Sequence, residues 1–393
     1  MKQQPKIGFL TSADAKDQKI WSGIHYHLLR GLEENFGDVV VLGPIKKPLY
    51  LRCIIAFLDR VCTIFLGKKF NKIHNTISSK FFKSRYETLL REVDLDIIFA
   101  SSASVEIAYL ETDIPICQYT DAFFGQLHNY YENHTNLISN SVKEAYTIEE
   151  CAARKTTSII CTSDWAKNYA IDSLKFKKEQ VHFVPFGANI DEVPDISPVN
   201  KKSGLHEKCN LLFLGKAWER KGGPIAFEAL ETLSEMGLSV SLTVCGCIPS
   251  PEFQHPDLNV IPFLNKNNEK EYQAFLELLH RTHFLLLPSR AECFGIVFCE
   301  ASAFGIPSIT THTGGIPSAV EDGVNGYKLP YDANGEAYAK VIYEIFTDKE
   351  KYQKLVISSR EKFDKNLNWR YANEKIKECI ATTLSIAGNH VIP

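Results

Sequence analysis

Twice along this chain a short apolar strand runs into a glycine-bearing loop and then into an amphipathic helix. The first instance is KIGFLT, Lys6 to Thr11, followed by WSGIHYHLLRGLEENF, in which Ile24, Leu28, Leu29 and Leu32 share one helical face. The second is CNLLFLGKAWERKGGPIAFEALETL, beginning at Cys209. Strand, glycine loop and helix in that order open a parallel doubly wound sheet, because parallel neighbours need a crossover and a helix supplies it. Two such openings predict an α/β chain of two Rossmann-like domains, and 393 residues suit two cores better than one.

The remaining apolar runs keep α/β spacing. Asp38 to Leu42, Ile97 to Ala100, Ile114 to Tyr119 and Ser158 to Thr162 read as strands of a first domain over 1–195. Asp94-Leu95-Asp96 is a D-x-D set directly before the strand IIFA, and reads as its entry turn rather than as a metal site. Ser163 is expected to cap a helix in SDWAKNYAIDSLKF, and Ser22 to cap the first one, with Gly23 letting a ligand approach the backbone. Val193 to Gly204, rich in Pro, Ser, Lys and Asn, reads as a linker. A second domain over 205–368 continues with the strands VSLTVCG, LNVIPFL and HFLLLPS, and beyond Pro330 the chain is mostly helical.

Bulk properties narrow the partners. A net charge of −3 gives no general attraction to nucleic acid. No uninterrupted apolar run reaches 18 residues, and MKQQPKIGFLTSADAKD lacks the apolar region of a signal peptide, so a cytoplasmic location is expected. The eleven cysteines are scattered without C-x2-C pairs. Cys245 and Cys247 read as reduced thiols in a strand-end turn; Cys293 and Cys299 are either packing residues or a reactive thiol. Charge is concentrated in one place. From Lys46 to Arg85 ten Lys or Arg face a single acid, Asp59, around the apolar run LRCIIAFLDRVCTIFL. Arg52, Asp59, Arg60 and Thr63 fall close to one helical face. Two readings stand: a basic amphipathic helix on an anionic membrane surface, peripheral on the inner face of the cell membrane, or a helix packed on the first sheet with its charges solvated.

The stretch Pro288 to Pro330, PSRAECFGIVFCEASAFGIPSITTHTGGIPSAVEDGVNGYKLP, carries the chemistry. It places Glu292 in a loop, passes through Phe294 and Gly295 into a helical run bearing Glu300, and stops at Gly305. A helix N-terminus attracts anions, and acids beside it suit hydrogen bonding to sugar or ribose hydroxyls. The stretch resembles the E-x7-E signature of retaining GT-B glycosyltransferases of the family 4 type. The A-x-G-x-P continuation (Ala303, Gly305, Pro307) and the later Gly314, Gly315 and Glu321 extend the resemblance. VHFVPFGANID is similar to the V-x-P-x-G element that closes the first domain in that family.

What the resemblance implies is specific. The fold would be GT-B, two Rossmann-like domains facing a cleft, with the C-terminal helix from Trp369, within 369–393, crossing back onto the first domain. Glu300 would accept hydrogen bonds from ribose, Glu292 would contact the transferred sugar, and backbone N–H groups around Phe294, Gly295 and Ile296 would approach sugar and phosphate. Arg220 and Lys221 match the family's cationic element and would neutralise the leaving phosphate; Lys216 stands where many relatives carry Arg. Gly23 lies in the first-domain loop that faces the cleft in the family. Many relatives have a histidine near the donor sugar in QYTDAFFGQLHNYYE, where this chain has Asp121, with His128 seven residues on. Asp121 either contacts the sugar or acts as acid/base, or caps the segment that follows. Tyr130, Tyr131 and His134 either line an acceptor surface or belong to the core.

The implied activity is transfer of a hexosyl group, with retention, from a nucleotide-diphosphate sugar to the hydroxyl of a glycan or lipid-linked acceptor, as in cell-envelope glycan synthesis. No obligatory metal or cofactor is implied. The alternatives are a GT-B sugar-nucleotide epimerase and a catalytically inactive, membrane-associated GT-B protein.

Overall fold

The computed structural model describes residues 4–195 and 208–388. The chain divides into two compact units, Met1–Val184 with Asn373–Pro393, and Pro185–Ala372. The division thus falls ahead of the expected linker, whose residues from 196 onward lie outside the described residues.

The first unit is built on β1 (Ile7–Leu10), β2 (Val39–Leu42), β3 (Ile97–Ser101), β4 (Ile116–Thr120), β5 (Ser158–Cys161) and β6 (Val181–Phe183). They form one parallel sheet in the order β2-β1-β3-β4-β5-β6. Every residue of β1, β3, β4 and β5 is buried. Helices cover both faces of such strands, which is why their sequences are continuous apolar runs rather than alternating ones. Leu10, Ile98 and Ala100 pack with Phe82 and Tyr86 of the Thr76–Leu90 helix and with Ile148 and Ala152 of the Ser139–Lys155 helix. Asp96 of the D-x-D accepts a hydrogen bond from the Lys6 backbone N–H at 2.7 Å, fixing the turn into β3 beside β1. Ser163 Oγ accepts from Ala166 N–H at 3.1 Å and caps the Asp164–Asp172 helix.

Three expectations change here. Ser22 is not the first helix cap: it sits in a 3-10 turn at φ 57°, and Gly23, at φ 86°, holds the capping position of the Ile24–Phe36 helix without a side-chain bond. The Leu49–Leu66 helix is not packed on the sheet, because only Ile55 among its 18 residues is buried. Asp59 is not merely solvated: its carboxylate accepts from Phe70 N–H at 3.0 Å and pairs with Lys72 at 3.0 Å.

The Trp369–Gly388 helix starts in the second unit and continues, from Asn373, in the first. Asn373 lies against Gly31, and Thr383 Oγ1 hydrogen-bonds Ser158 Oγ of β5.

The second unit contains β7 (Cys209–Leu214), β8 (Val240–Cys245), β9 (Leu258–Ile261), β10 (Phe284–Leu287), β11 (Ser308–Thr311) and β12 (Gly326–Leu329). They form a parallel sheet in the order β12-β11-β10-β7-β8-β9. From β7 the chain winds outward through β8 and β9, then returns to β10 on the opposite side of β7. The loops after β7 and β10 therefore leave the sheet in opposite directions and open a crevice at its carboxyl edge, where doubly wound sheets bind ligands.

Candidate active site

That crevice is where the sequence motifs meet. The loop after β7 carries Lys216, Arg220 and Lys221; the loop after β10 carries Glu292. Lys221 Nζ donates to Glu292 Oε2, and the Arg220 guanidinium stands 3.8 Å from the same oxygen. Lys221 is 7% exposed and Glu292 9%, so this pair has left most of its water behind. The loops are also tied through backbone: Arg290 N–H donates to Arg220 O at 2.7 Å, and Arg220 Nη1 to Ala291 O at 2.6 Å. Gly222 makes the approach feasible. It sits at φ 77°, and a Cβ there would collide with the Pro288 carbonyl.

Beyond Glu292 the chain turns at Gly295, φ 88°, into the Ile296–Ala303 helix. A Cβ on Gly295 would strike the Phe298 ring. Phe294 is buried edge-on against Phe186, ring centroids 5.3 Å apart, and Ile296 is half-buried at the helix start. Glu300 lies four residues along the helix and is 2% exposed. Lys266 Nζ donates to it at 2.5 Å; the same ammonium reaches Asn189 O at 3.2 Å and sits 4.4 Å from the Phe275 ring centroid. Lys216 is exposed, 5.5 Å from the Phe263 ring centroid. The structure thus brings Arg220, Lys221 and Glu292 into one cluster, beside the helix that bears Phe294, Gly295, Ile296 and Glu300.

Sequence reasoning missed two residues here. Lys266 lies in a loop with no motif of its own. Arg290 lies inside the motif, which was its available signal: its guanidinium stacks on Tyr331 at 3.6 Å, and its Nη1, like Ser289 Oγ, is buried without a hydrogen-bond partner. Of the two cysteines in the motif, both are buried. Cys299 is buried, donates to Phe186 O at 3.4 Å, and burial pushes its thiol far above the ordinary value. Glu321 is tied to Lys362 at 2.9 Å, which draws its carboxyl below the usual range.

Gly23 and Asp121 belong to the first unit. Asp121 is half-buried just past β4, and it is not the cap of the following turn: Phe123 holds that position for Phe124–Leu127. The free N–H groups of Phe124 and Gly125 are taken instead by Glu149, a residue sequence reasoning passed over. Burial pushes Glu149 up to about 7 against the pull of those donors. His128 stacks on Phe124 with centroids 5.6 Å apart, and His134 is buried beside them, so both are packing residues of an aromatic cluster; Tyr130 packs on Trp165.

The first sheet has its own change of winding direction between β1 and β3. Ser12 donates to the buried Glu106 at 2.5 Å there, and His25 Nδ1 meets Ser101 Oγ at 3.0 Å. Burial raises the Glu106 carboxyl and lowers the His25 imidazole to about 4. Among the described residues no three His, Cys, Asp or Glu side chains converge as a metal site.

Residues 196–362 match the family model described as glycosyl transferases group 1. The matched stretch holds Lys216, Arg220, Lys221, Glu292, Phe294, Gly295, Ile296 and Glu300; Gly23 and Asp121 fall outside it. The chain is 28% identical over 186 residues to Spore coat protein SA of Bacillus subtilis, covering 44% of this chain and 48% of that one. It is 25% identical over 253 residues to a Glycogen synthase of Mycobacterium tuberculosis, covering 60% and 57%. The chain thus spans about half the length of the curated relatives it matches.

Among solved structures, sucrose-phosphate synthase from Thermosynechococcus elongatus aligns with a TM-score of 0.68 at 14% identity, over 97% of this chain and 99% of that one. Anabaena Alr3699/HepE in complex with UDP-glucose aligns with a TM-score of 0.62 at 16% identity, over 96% and 100%. With its two parallel six-stranded sheets, the chain has the α/β fold of the GT-B class.

Proposed function

We propose that the chain is a retaining glycosyltransferase that moves a hexosyl group from a nucleotide-diphosphate sugar to the hydroxyl of a lipid-linked or cell-envelope glycan, at the cytoplasmic face of a membrane. One observation carries this: the crevice between β7 and β10 gathers Arg220, Lys221 and Glu292 beside the helix that buries Glu300. Helix N–H groups near Gly295 and Ile296, with Arg220, Lys221 and Lys216, would hold the diphosphate. Glu300 would accept from ribose hydroxyls once Lys266 yields to them, and Glu292 would orient the sugar. The bond from the anomeric carbon to the phosphate oxygen breaks, and the nucleoside diphosphate leaves with the electron pair. The acceptor oxygen bonds to that carbon on the same face, and its proton passes to the departing phosphate. The cations stabilise charge developing on that phosphate, where preorganised positive groups are most effective. This chemistry calls on no resident metal or cofactor, so turnover should survive EDTA.

Incubation with UDP-, GDP- and ADP-sugars and a glycan acceptor tests it. Release of nucleoside diphosphate with a product of unchanged anomeric configuration is expected. An intact donor with an epimerised sugar, or no nucleotide binding at all, overturns it.

A further inference from the structure

The apolar residues of a helix are normally buried, yet in the Leu49–Leu66 helix only Ile55 is fully buried. Tyr50, Cys53, Ile54, Phe57 and Ile64 recur at helical spacing on its outward side, Phe57 at 65% exposure, and Phe65 near its end reaches 78%. The helix is firmly placed. Gly67 closes it in the left-handed conformation, Asn136 Nδ2 donates to Gly67 O at 2.9 Å, and Lys69 pairs through backbone with Asn136 and Ile138 at 2.8 and 3.0 Å. Asp59, the only acid from 46 to 85, is turned inward onto Phe70 N–H and Lys72. The outward side is therefore apolar, with Arg60 at its margin, exposed Arg52 on the flank it shares with Asp59, and exposed Lys46 and Lys68 at the two ends.

We propose that this helix is an interfacial anchor which lies in the plane of an anionic lipid bilayer, its Tyr50–Phe57–Ile64 side immersed and its cations among the headgroups. Charge decides the occupant. A second copy would bring only further cations of the same sign to this side, whereas anionic headgroups complement them and the acyl boundary takes the aromatic and aliphatic side chains. Among the described residues no helix is long and apolar enough to cross a membrane, which fits a helix lying on the surface. The proposal extends the reading above by naming where a lipid-linked acceptor would be met, and rests on that reading for this link alone.

Vesicle flotation of the full chain tests it, with phosphatidylcholine alone or mixed with phosphatidylglycerol. Binding is expected to the anionic vesicles only. F57D/I64D should abolish it, and R52E/R60E/K68E should weaken partitioning by at least about tenfold. All five positions are exposed, so unchanged melting curves for both variants are expected and confirm that folding is intact. Absence of flotation, equal binding to neutral vesicles, or charge-reversed protein binding like wild type overturns the proposal. So does a dimer in analytical ultracentrifugation that F57D/I64D converts to monomer while nothing floats. Nucleotide binding measured on the same samples separates the two readings: flotation without nucleotide binding leaves the anchor standing and removes the transferase.

Discussion

Replacing Lys221 with methionine keeps most of the side-chain bulk and deletes one half of an enclosed ion pair. Removing one member of a buried pair costs about 3–5 kcal/mol, because the other is left as an uncompensated charge. Arg220, 3.8 Å from the same Glu292 oxygen, still opposes that charge and puts this case at the low end, about 3 kcal/mol. Adding Glu292→Gln removes the stranded charge, so the double variant should lose only about 1 kcal/mol, about 2 kcal/mol less than Lys221→Met alone. Urea denaturation of wild type, both single variants and the double variant measures each corner of that cycle. Additive losses, with coupling under about 0.5 kcal/mol, would refute a desolvated pair and show these groups screened by water. The donor tells the same story through a second readout. Lys221→Met should raise the dissociation constant of a nucleoside diphosphate by about tenfold or more, since a hydrogen bond to a charged group contributes roughly 1.5–3 kcal/mol.

Glu300→Ala should weaken nucleoside diphosphate binding by a similar factor in calorimetry; unchanged affinity would remove its ribose role. Gly295→Ala forces a side chain into φ 88° and onto Phe298, and should lower stability by about 2 kcal/mol or more in thermal denaturation while abolishing turnover. His25, lowered by burial to about 4 from an ordinary 6.5, binds fewer protons folded than unfolded. Its contribution is complete above pH 6.5 and lost as pH falls toward 4, reaching about 1 kcal/mol of loss by pH 5.5. Melting curves of His25→Gln, which does not titrate, should therefore fall less between pH 7.5 and 5.5 than those of wild type; an equal fall would show His25 protonating freely when folded.

The sheets were legible because strands buried on both faces must be written as continuous apolar runs, and β1, β3, β5 and β10 are so written within a residue or two. Glu292 and Glu300 were legible because their motif fixes them on either side of a helix start. Their partners were not. Lys221 meets Glu292 across 71 residues only because β10 lies beside β7 in the sheet, a pairing no local pattern encodes. Lys266 reaches Glu300 through an irregular loop folded over Phe275, and Glu149 caps a turn some 24 residues before it. Ser22 failed as a cap because Gly23, in the left-handed region, holds that position itself. The sequence left the Leu49–Leu66 helix between two readings, and the structure removes the packed one, since only Ile55 of its residues is buried.

Hydrogen exchange of the full chain, with and without a saturating nucleoside diphosphate, tests most directly the claim that the donor is held at the crevice between β7 and β10. Slowed exchange is predicted for the backbone amides of 215–224 and 293–300, together with the loop around Lys266, and Glu300→Ala should weaken that protection. Protection confined to the first unit, or none in these segments under a nucleotide that demonstrably binds, would contradict the account.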